Sequence, residues 1–193
     1  MAESRNAKRI QWVEPKKRGI FQLGNFHISR SLKRVILKKD YSITVNSCFP
    51  KVVEKCADRN ETWINHDIFS CYCKLHDDGF AHSVEVWRDN RLIGGVYGVA
   101  IGAAFFGESM FSEVSNGSKI ALAYLHDRLL KAGFILFDTQ FLTEHLASLG
   151  AIEITQAQYL NKLEKALNKN ANFLDINYSV DVATIAHRST HTS

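Results

Sequence analysis

Residues 94–150 read GGVYGVAIGAAFFGESMFSEVSNGSKIALAYLHDRLLKAGFILFDTQFLTEHLASLG, and the rest of the chain is organised around them. Their apolar, glycine-dotted beginning predicts paired strands, and residues 115–133 carry the start and stop signals of a helix. Residues 134–137 form a continuous apolar run of the buried-strand type. Two polar islands, residues 107–112 and 138–140, interrupt these apolar stretches. Each island holds a carboxylate that is either a satisfied structural acid or part of a site.

The segments on either side carry the signals of further helices and strands. We predict strands at residues 41–45, 82–87, 92–100, 103–106 and 152–154, and helices at residues 49–57, 66–78, 144–149 and 155–168. Residues 1–24 are expected to be irregular or to form short extended pieces, and Ser29 or Ser31 caps a short basic turn. This order predicts a mixed α/β (α+β) fold with a single sheet flanked by helices.

Composition limits the class of protein. The 193 residues suffice for one domain with a substantial core, and the 46% hydrophobic and 23% charged contents are typical of soluble globular proteins. No apolar run reaches the roughly 18 residues that cross a membrane, and the N-terminus lacks the apolar core of a signal peptide, so we expect a cytoplasmic protein. The four cysteines suit a reducing compartment and lack the paired spacing of a zinc site, so no metal is expected.

Charge is distributed unevenly along the chain. The net charge of +4 combines +9 in residues 1–39, which hold 11 Lys or Arg and 2 acidic residues, with −5 in the remainder. A basic end fits contact with a phosphate backbone, and a solvated basic tail fits the same charge. We divide the chain into a basic N-terminal segment at residues 1–40, a central domain at residues 41–169 and a polar tail at residues 170–193, expected to be disordered.

The sequence lacks the usual phosphate cradles and the hydrolase elbow. Gly117-Ser118-Lys119 resembles the end of a P-loop, but Ser112 stands where the leading glycine belongs. There is no Gly-x-Gly-x-x-Gly after a strand and no Gly-x-Ser-x-Gly. These gaps argue against nucleotide hydrolysis, dinucleotide redox chemistry and serine-elbow hydrolysis.

Glu108 and Asp138 remain as candidate active-site residues. Taken singly, each could be a turn or capping residue. Two carboxylates at adjacent strand ends in an apolar setting favour a site, because burial and neighbouring groups shift pKa values there. Met110 and Phe137 flank them and are more often core than pocket, although an apolar pocket here would suit an apolar side chain beside a reacting carbonyl or amine.

Seven stretches together resemble the leucyl/phenylalanyl-tRNA–protein transferase family. They are HISRS at 27–31, TWI at 62–64, HSVEVW at 82–87, GGVYGVA at 94–100, FGESMFS at 106–112, DTQ at 138–140 and EHLASLGA at 144–151. The likeness covers about residues 12–167 in unbroken order. The GESMFS stretch is the most specific of these motifs.

The resemblance implies a fold, a reaction and its partners. The fold would be that of the GCN5-related N-acetyltransferases, using aminoacyl-tRNA in place of acyl-CoA, and residues 41–169 would be the catalytic domain. Leu or Phe, and less efficiently Met, would pass from Leu-tRNA or Phe-tRNA to the N-terminal Arg or Lys of acceptor proteins. That transfer marks the acceptor for degradation by the N-end rule pathway. We expect no cofactor, no membrane partner and a monomer.

The resemblance also assigns roles to residues. Glu108 would orient the acceptor or the tRNA 3′ adenosine, and Asp138 with Gln140 would handle the attacking α-amine. The pocket for the Leu or Phe side chain would be lined by Met110, Val96, Leu125 and Phe137. The tRNA 3′ end would meet Trp63, which can stack on an unpaired base, and Ser109. The basic residues expected to face the tRNA backbone are Lys16, Lys17, Arg18, Arg30, Lys33 and Arg34.

Gln140 has no group of suitable pKa to act as a strong base. Either Asp138 polarises Gln140 or the tRNA relays the proton, and the sequence favours neither. Family members usually carry several dozen further N-terminal residues, so the chain is expected to be a shortened form or to start at an internal methionine. Its basic segment would then be a remnant of the family's N-terminal domain. Two other functions stay open: an inactive tRNA-binding form, and an acyl-CoA-dependent N-acetyltransferase, for which residues 113–121 supply no pyrophosphate loop.

Overall fold

The computed structural model of the chain describes residues 13–174 and 181–187. Its strands are β1 (Lys17–Phe21), β2 (Ser42–Val45), β3 (Ala81–Arg88), β4 (Arg91–Ile101), β5 (Ala104–Ser112), β6 (Leu136–Gln140) and β7 (Ala151–Thr155). Its helices are α1 (Arg30–Lys38), α2 (Phe49–Ala57), α3 (His66–Asp77), α4 (Gly117–Lys131), α5 (Glu144–Ala147), α6 (Gln156–Leu167) and α7 (Val182–His187). Within those ranges, no helix combines the length and apolarity needed to cross a membrane.

The seven strands form one sheet in the order β2-β3-β4-β5-β6-β1-β7. Neighbouring strands are antiparallel except for β5 and β6, which are parallel. The β3–β4 hairpin turns at Asp89 and Asn90, whose φ angles of 50° and 59° suit a two-residue turn of type I′. Helices cover both faces, which confirms the predicted α/β fold with a single flanked sheet.

The side chains of successive residues of β5 pack on opposite faces of the sheet. Phe105 lies in the core beneath α1, α4 and α7, whereas Ala104 lies in the cluster around Tyr159 of α6. Phe111, near the other end of β5, packs under α2 and α3. Each such buried aromatic side chain stabilises the fold by about 1.5–3 kcal/mol. The strand that carries the first polar island is therefore fixed from both sides.

The predicted short extended piece of the N-terminal segment is the strand β1, whereas the predicted short basic turn is the longer helix α1. Residues 1–12, to which the first expectation also applied, lie outside the described residues. β1 lies inside the sheet between β6 and β7, pairing with both. Ser29 caps α1 by accepting from the Leu32 amide at 3.2 Å, and Leu32 and Ile36 enter the main core. The expected boundary at residue 40 does not coincide with a break in the packing.

The end of the chain also departs from the expected disordered tail. Phe173 and Ile185 are 2% and 1% exposed, and both belong to the main core. Phe173 stacks on His82 of β3 with ring centroids 4.4 Å apart. Residues 175–180 and 188–193, to which the same expectation applied, lie outside the described residues.

Candidate active site

A cleft opens where two central strands separate. β5 and β6 pair only along three positions, Ala104 to Phe106 against Leu136 to Asp138. Beyond them β5 continues alongside β4 as far as Ser112, whereas β6 ends at Gln140. The first polar island was predicted to end the strand at residue 106, which is wrong, because the island continues the strand as one wall of the cleft.

A β-bulge on each side of the cleft re-aims the polar side chains. On β4, Tyr97 and Gly98 face Ser109 and Gly107, so Glu108 is the extra residue of β5. A second bulge lies in the pairing of β1 with β6, where Thr139 is the extra residue between Asp138 and Gln140. A bulge bends its strand and turns a side chain out of the regular alternation. The cleft therefore receives Glu108 and Gln140 from strands whose ordinary alternation would place them differently.

Gln140 and Glu108 form the polar pair of the cleft. Gln140 Nε2 donates to Glu108 Oε2 at 3.0 Å, so the amide oxygen of Gln140 is turned away from the carboxylate. The backbone of Gln140 has φ 63°, a left-handed conformation that costs a residue with a side chain about 1–3 kcal/mol. The Gln140 amide nitrogen donates to Asp138 Oδ1 at 2.7 Å, which offsets part of that cost.

The carboxylate of Asp138 is enclosed by hydrogen-bond donors of the protein itself. It is 0% exposed and accepts from Arg18 Nη2 at 2.7 Å, Arg18 Nε at 3.1 Å and the Tyr159 hydroxyl at 2.8 Å. With the bond from the Gln140 amide, its acceptor positions are filled. The structure brings Asp138 and Gln140 together as predicted, but only Gln140 faces the cleft.

Arg18 is held by the same carboxylate. Its side chain is 17% exposed, and its guanidinium lies 4.6 Å from the centre of the Tyr159 ring. Burial acts to lower the pKa of Arg18, but the hydrogen bond and charge of Asp138 outweigh burial and raise the pKa above its ordinary value. Its Nε and Nη2 groups are bonded to Asp138, and the expected contact of Arg18 with the tRNA backbone stays a prediction.

Burial raises the pKa of Glu108 above the ordinary glutamate value. Hydrogen bonds from the Tyr72 hydroxyl and from the Gln140 amide oppose that rise. Tyr72 of α3 also meets Trp63 edge-on, with ring centroids 6.3 Å apart. Trp63 is thus linked to the cleft through Tyr72, to which the sequence assigned no role in the site.

An apolar cavity of about 70 Å³ adjoins the polar pair. Its lining residues are Val96, Gly107, Glu108, Ser109, Met110, Leu122, Phe137, Thr139 and Leu146. Three of the four predicted pocket residues are among them, and the exception is Leu125, which is 1% exposed in the main core. Leu122 takes its place, one turn nearer the start of α4. Two larger grooves, of about 600 and 540 Å³, contain neither Glu108 nor Gln140.

Thr139 is a site residue that the sequence did not single out. Its hydroxyl is buried and has no hydrogen-bond partner among the residues that the structure describes. Thr139 also lines the cavity, so a ligand there could satisfy this hydroxyl. Thr139 takes this position because it is the extra residue of the bulge between β1 and β6. That bulge depends on the pairing of the two strands, so the local sequence does not reveal it.

The other predicted basic residues lie away from the cleft on the surface of α1 and at the start of β1. Arg30 and Arg34 are exposed and four residues apart on α1, with the half-buried Lys33 beside them. Lys16 is exposed, and Lys17 pairs with Glu153 at 3.0 Å. In the described ranges, no group of three or more His, Cys, Asp or Glu side chains is placed to hold a metal ion.

The family model for leucyl/phenylalanyl-tRNA protein transferase matches residues 20–164. The chain belongs to this family. A leucyl/phenylalanyl-tRNA–protein transferase of Cereibacter sphaeroides (strain ATCC 17025 / ATH 2.4.3) is 56% identical over 193 residues, which cover 100% of the chain and 90% of that relative. Another, from Ruegeria sp. (strain TM1040), is 59% identical over 174 residues, or 90% of the chain and 83% of the relative. As a leucyl/phenylalanyl-tRNA–protein transferase family member, the protein is an aminoacyltransferase.

The fold is also found in a solved structure of distant sequence. The crystal structure of FemX superposes with a TM-score of 0.54 at 12% identity, covering 83% of this chain and 66% of that one. At such low identity the likeness concerns the fold alone. It agrees with the acetyltransferase-like fold expected of a leucyl/phenylalanyl-tRNA–protein transferase.

Proposed function

We propose that the protein transfers Leu or Phe, and less efficiently Met, from aminoacyl-tRNA to the N-terminal Arg or Lys of acceptor proteins. The transfer marks those proteins for N-end rule degradation in the cytoplasm. The observation that carries the proposal is the Gln140–Glu108 pair at 3.0 Å beside an apolar cavity at the parting of β5 and β6. The proposal includes action as a monomer.

The cavity and the polar pair have separate tasks in the proposal. The Leu or Phe side chain enters between Val96, Met110 and Phe137, which places its ester carbonyl beside Glu108 and Gln140. The carboxylate of Glu108 attracts the cationic acceptor terminus and orients the amide of Gln140. Holding ester and amine together in this way accounts for most of the rate, because an aminoacyl ester is already activated.

The reaction exchanges an ester for an amide. The acceptor α-amine, deprotonated and donating an N–H to Gln140 Oε1, attacks the ester carbonyl carbon. A C–N bond forms, the C–O bond to the terminal ribose breaks, and a proton from the amine ends on the departing ribose oxygen. Gln140 orients the amine and does not take its proton, since an amide is too weak a base. Asp138 contributes by fixing the backbone of Gln140 at 2.7 Å.

Radiolabelled leucine on leucyl-tRNA, offered to a model protein with N-terminal arginine, tests the proposal. The matched acceptor differs only by alanine at its N-terminus. Labelling of the arginine protein alone is the expected result. Binding of tRNA without any labelling would instead favour an inactive tRNA-binding form, and labelling from acetyl-CoA would favour an N-acetyltransferase.

We propose that the exposed basic residues of α1 contact the tRNA backbone. The variant Arg30→Ala/Arg34→Ala should weaken tRNA binding and reduce the slope of log K against log salt by about one per lost phosphate contact. Lys162→Ala/Lys165→Ala is the matched control, since it removes two exposed cations of α6 that are not among the predicted tRNA contacts. Filter binding over a range of salt concentrations measures the slopes. An unchanged slope in the double variant would show that α1 is a solvated basic surface that does not contact the tRNA.

A further inference from the structure

The connection between α2 and α3 reaches β5 at the residue that lines the cavity. Arg59 of this connection donates from Nη2 to the main-chain oxygen of Met110, and the Met110 side chain is part of the cavity wall. Four residues later Trp63 packs against Tyr72, whose hydroxyl binds Glu108. One short connection thus places a guanidinium and an indole beside the cleft.

Most of the N–H donors of Arg59 have no hydrogen-bond acceptor among the described residues. Its side chain is exposed, it forms no ion pair within residues 13–174 and 181–187, and its bond to Met110 engages one of five N–H donors. Arg18 and Arg88, by contrast, pair with Asp138 and Asp40. A guanidinium that is held in place and still has free donors is suited to bind an anion.

The surroundings locate this charge next to β5. Burial raises the pKa values of Cys56 and Tyr97, and the charge of Arg59 acts against that rise in both. Cys56 and Tyr97 belong to the core under α2 and α3, and Tyr97 pairs with Ser109 of β5. Arg59 therefore lies over the junction of this core with β5, and not out on the open surface of α2.

The chemistry of the two substrates decides which anion is bound. Under the proposed function, on which this inference rests, the acceptor carries a cationic N-terminus and is repelled by Arg59. The tRNA is the anionic substrate, and a planar guanidinium matches a phosphate with two parallel hydrogen bonds. We propose that Arg59 binds the 5′-phosphate of the terminal adenosine of aminoacyl-tRNA while the base stacks near Trp63. The phosphate contact fixes the ribose, and through it the ester, relative to the cavity.

Two minimal substrates isolate this contact: 3′-O-leucyl adenosine and the same compound with a 5′-phosphate. Transfer of leucine from each to an acceptor with N-terminal arginine is measured as kcat/KM. The wild-type protein should prefer the phosphorylated compound by about tenfold, as expected for one charge-assisted pair. Arg59→Ala should remove that preference.

Two further variants complete the test. Arg59→Gln keeps an N–H for the Met110 oxygen but loses the charge, so loss of the preference in it separates phosphate binding from support of the connection. Lys51→Ala removes an exposed cation of α2 and should keep the preference. An equal preference in wild type and Arg59→Gln, or no preference in the wild type, would overturn the inference and leave the proposed function standing. Failure of the wild type with both compounds and with leucyl-tRNA would overturn the proposed function itself.

Discussion

Glu108→Gln should lower the rate of leucyl transfer by about 100-fold or more while leaving tRNA affinity nearly unchanged. Loss of one preorganised electrostatic group at a reacting centre has effects of this size. The carboxylate can only accept, so it fixes Gln140 with Nε2 inward and Oε1 free for the amine. A new amide at position 108 can donate to Gln140 Oε1, which removes that acceptor from the amine. Single-turnover transfer at saturating leucyl-tRNA measures the loss.

The same substitution should stabilise the protein at neutral pH. Burial raises the folded-state pKa of Glu108, so the free energy of unfolding falls as the pH rises from the ordinary glutamate pKa through the folded-state pKa, and the whole cost is present above it. Replacing an ionised buried group with a neutral one removes this cost, and substitutions of this kind commonly add about 0.5–2 kcal/mol.

The gain should vanish as the pH falls below the ordinary glutamate pKa, where Glu108 is protonated in both the folded and the unfolded states. Urea unfolding of both proteins at neutral and acidic pH gives the comparison. A variant that is both active and no more stable at neutral pH would refute the role of Glu108 as a buried, strained carboxylate.

Asp138→Asn should cost about 3 kcal/mol in the free energy of unfolding and reduce kcat by at least tenfold, with KM for leucyl-tRNA little changed. The stability loss follows because Arg18, only 17% exposed, loses the carboxylate that neutralises it. The loss in kcat follows because Gln140, held at φ 63° by its bond to Asp138, loses its fixed position. Urea unfolding and steady-state kinetics measure the two effects.

Tyr159→Phe is the graded control for Asp138→Asn. It removes one neutral donor, at 2.8 Å from Asp138 Oδ2, and leaves the pair with Arg18 intact. Its cost should be about 1 kcal/mol, as for a single hydrogen bond. Equal stability of wild type and Asp138→Asn, or a larger rise in KM than fall in kcat, would contradict the positioning role.

Local signals in the sequence were sufficient for most helices. Asn65 caps α3 by accepting from the Ile68 amide at 2.9 Å, and Thr155 with Gln158 forms a capping box at the start of α6. Such signals work because a cap satisfies backbone donors only a few residues away. The β3–β4 hairpin was predictable for the same reason, since its two-residue turn is local.

The site depends on contacts that no local pattern encodes. Arg18 and Asp138 are 120 positions apart, and their pairing requires β1 to lie next to β6. The five residues of β1 begin with two cations and contain a glycine, so no strand alternation is visible in them. The bulge at Glu108 likewise exists only relative to β4. The sequence predicted Glu108, Gln140 and most of the cavity residues, but the burial of Asp138 and the place of Thr139 in the cavity wall required the fold.

A crystal structure with the non-hydrolysable analogue 3′-deoxy-3′-(leucylamino)adenosine 5′-phosphate tests the central claim most directly. The account predicts the leucyl side chain between Val96, Met110 and Phe137, and the amide carbonyl next to Gln140 and Glu108. Asp138 should keep its bonds to Arg18 and Tyr159 and make no contact with the analogue. A leucyl group bound outside the cleft between β5 and β6, or a direct contact from Asp138, would contradict it.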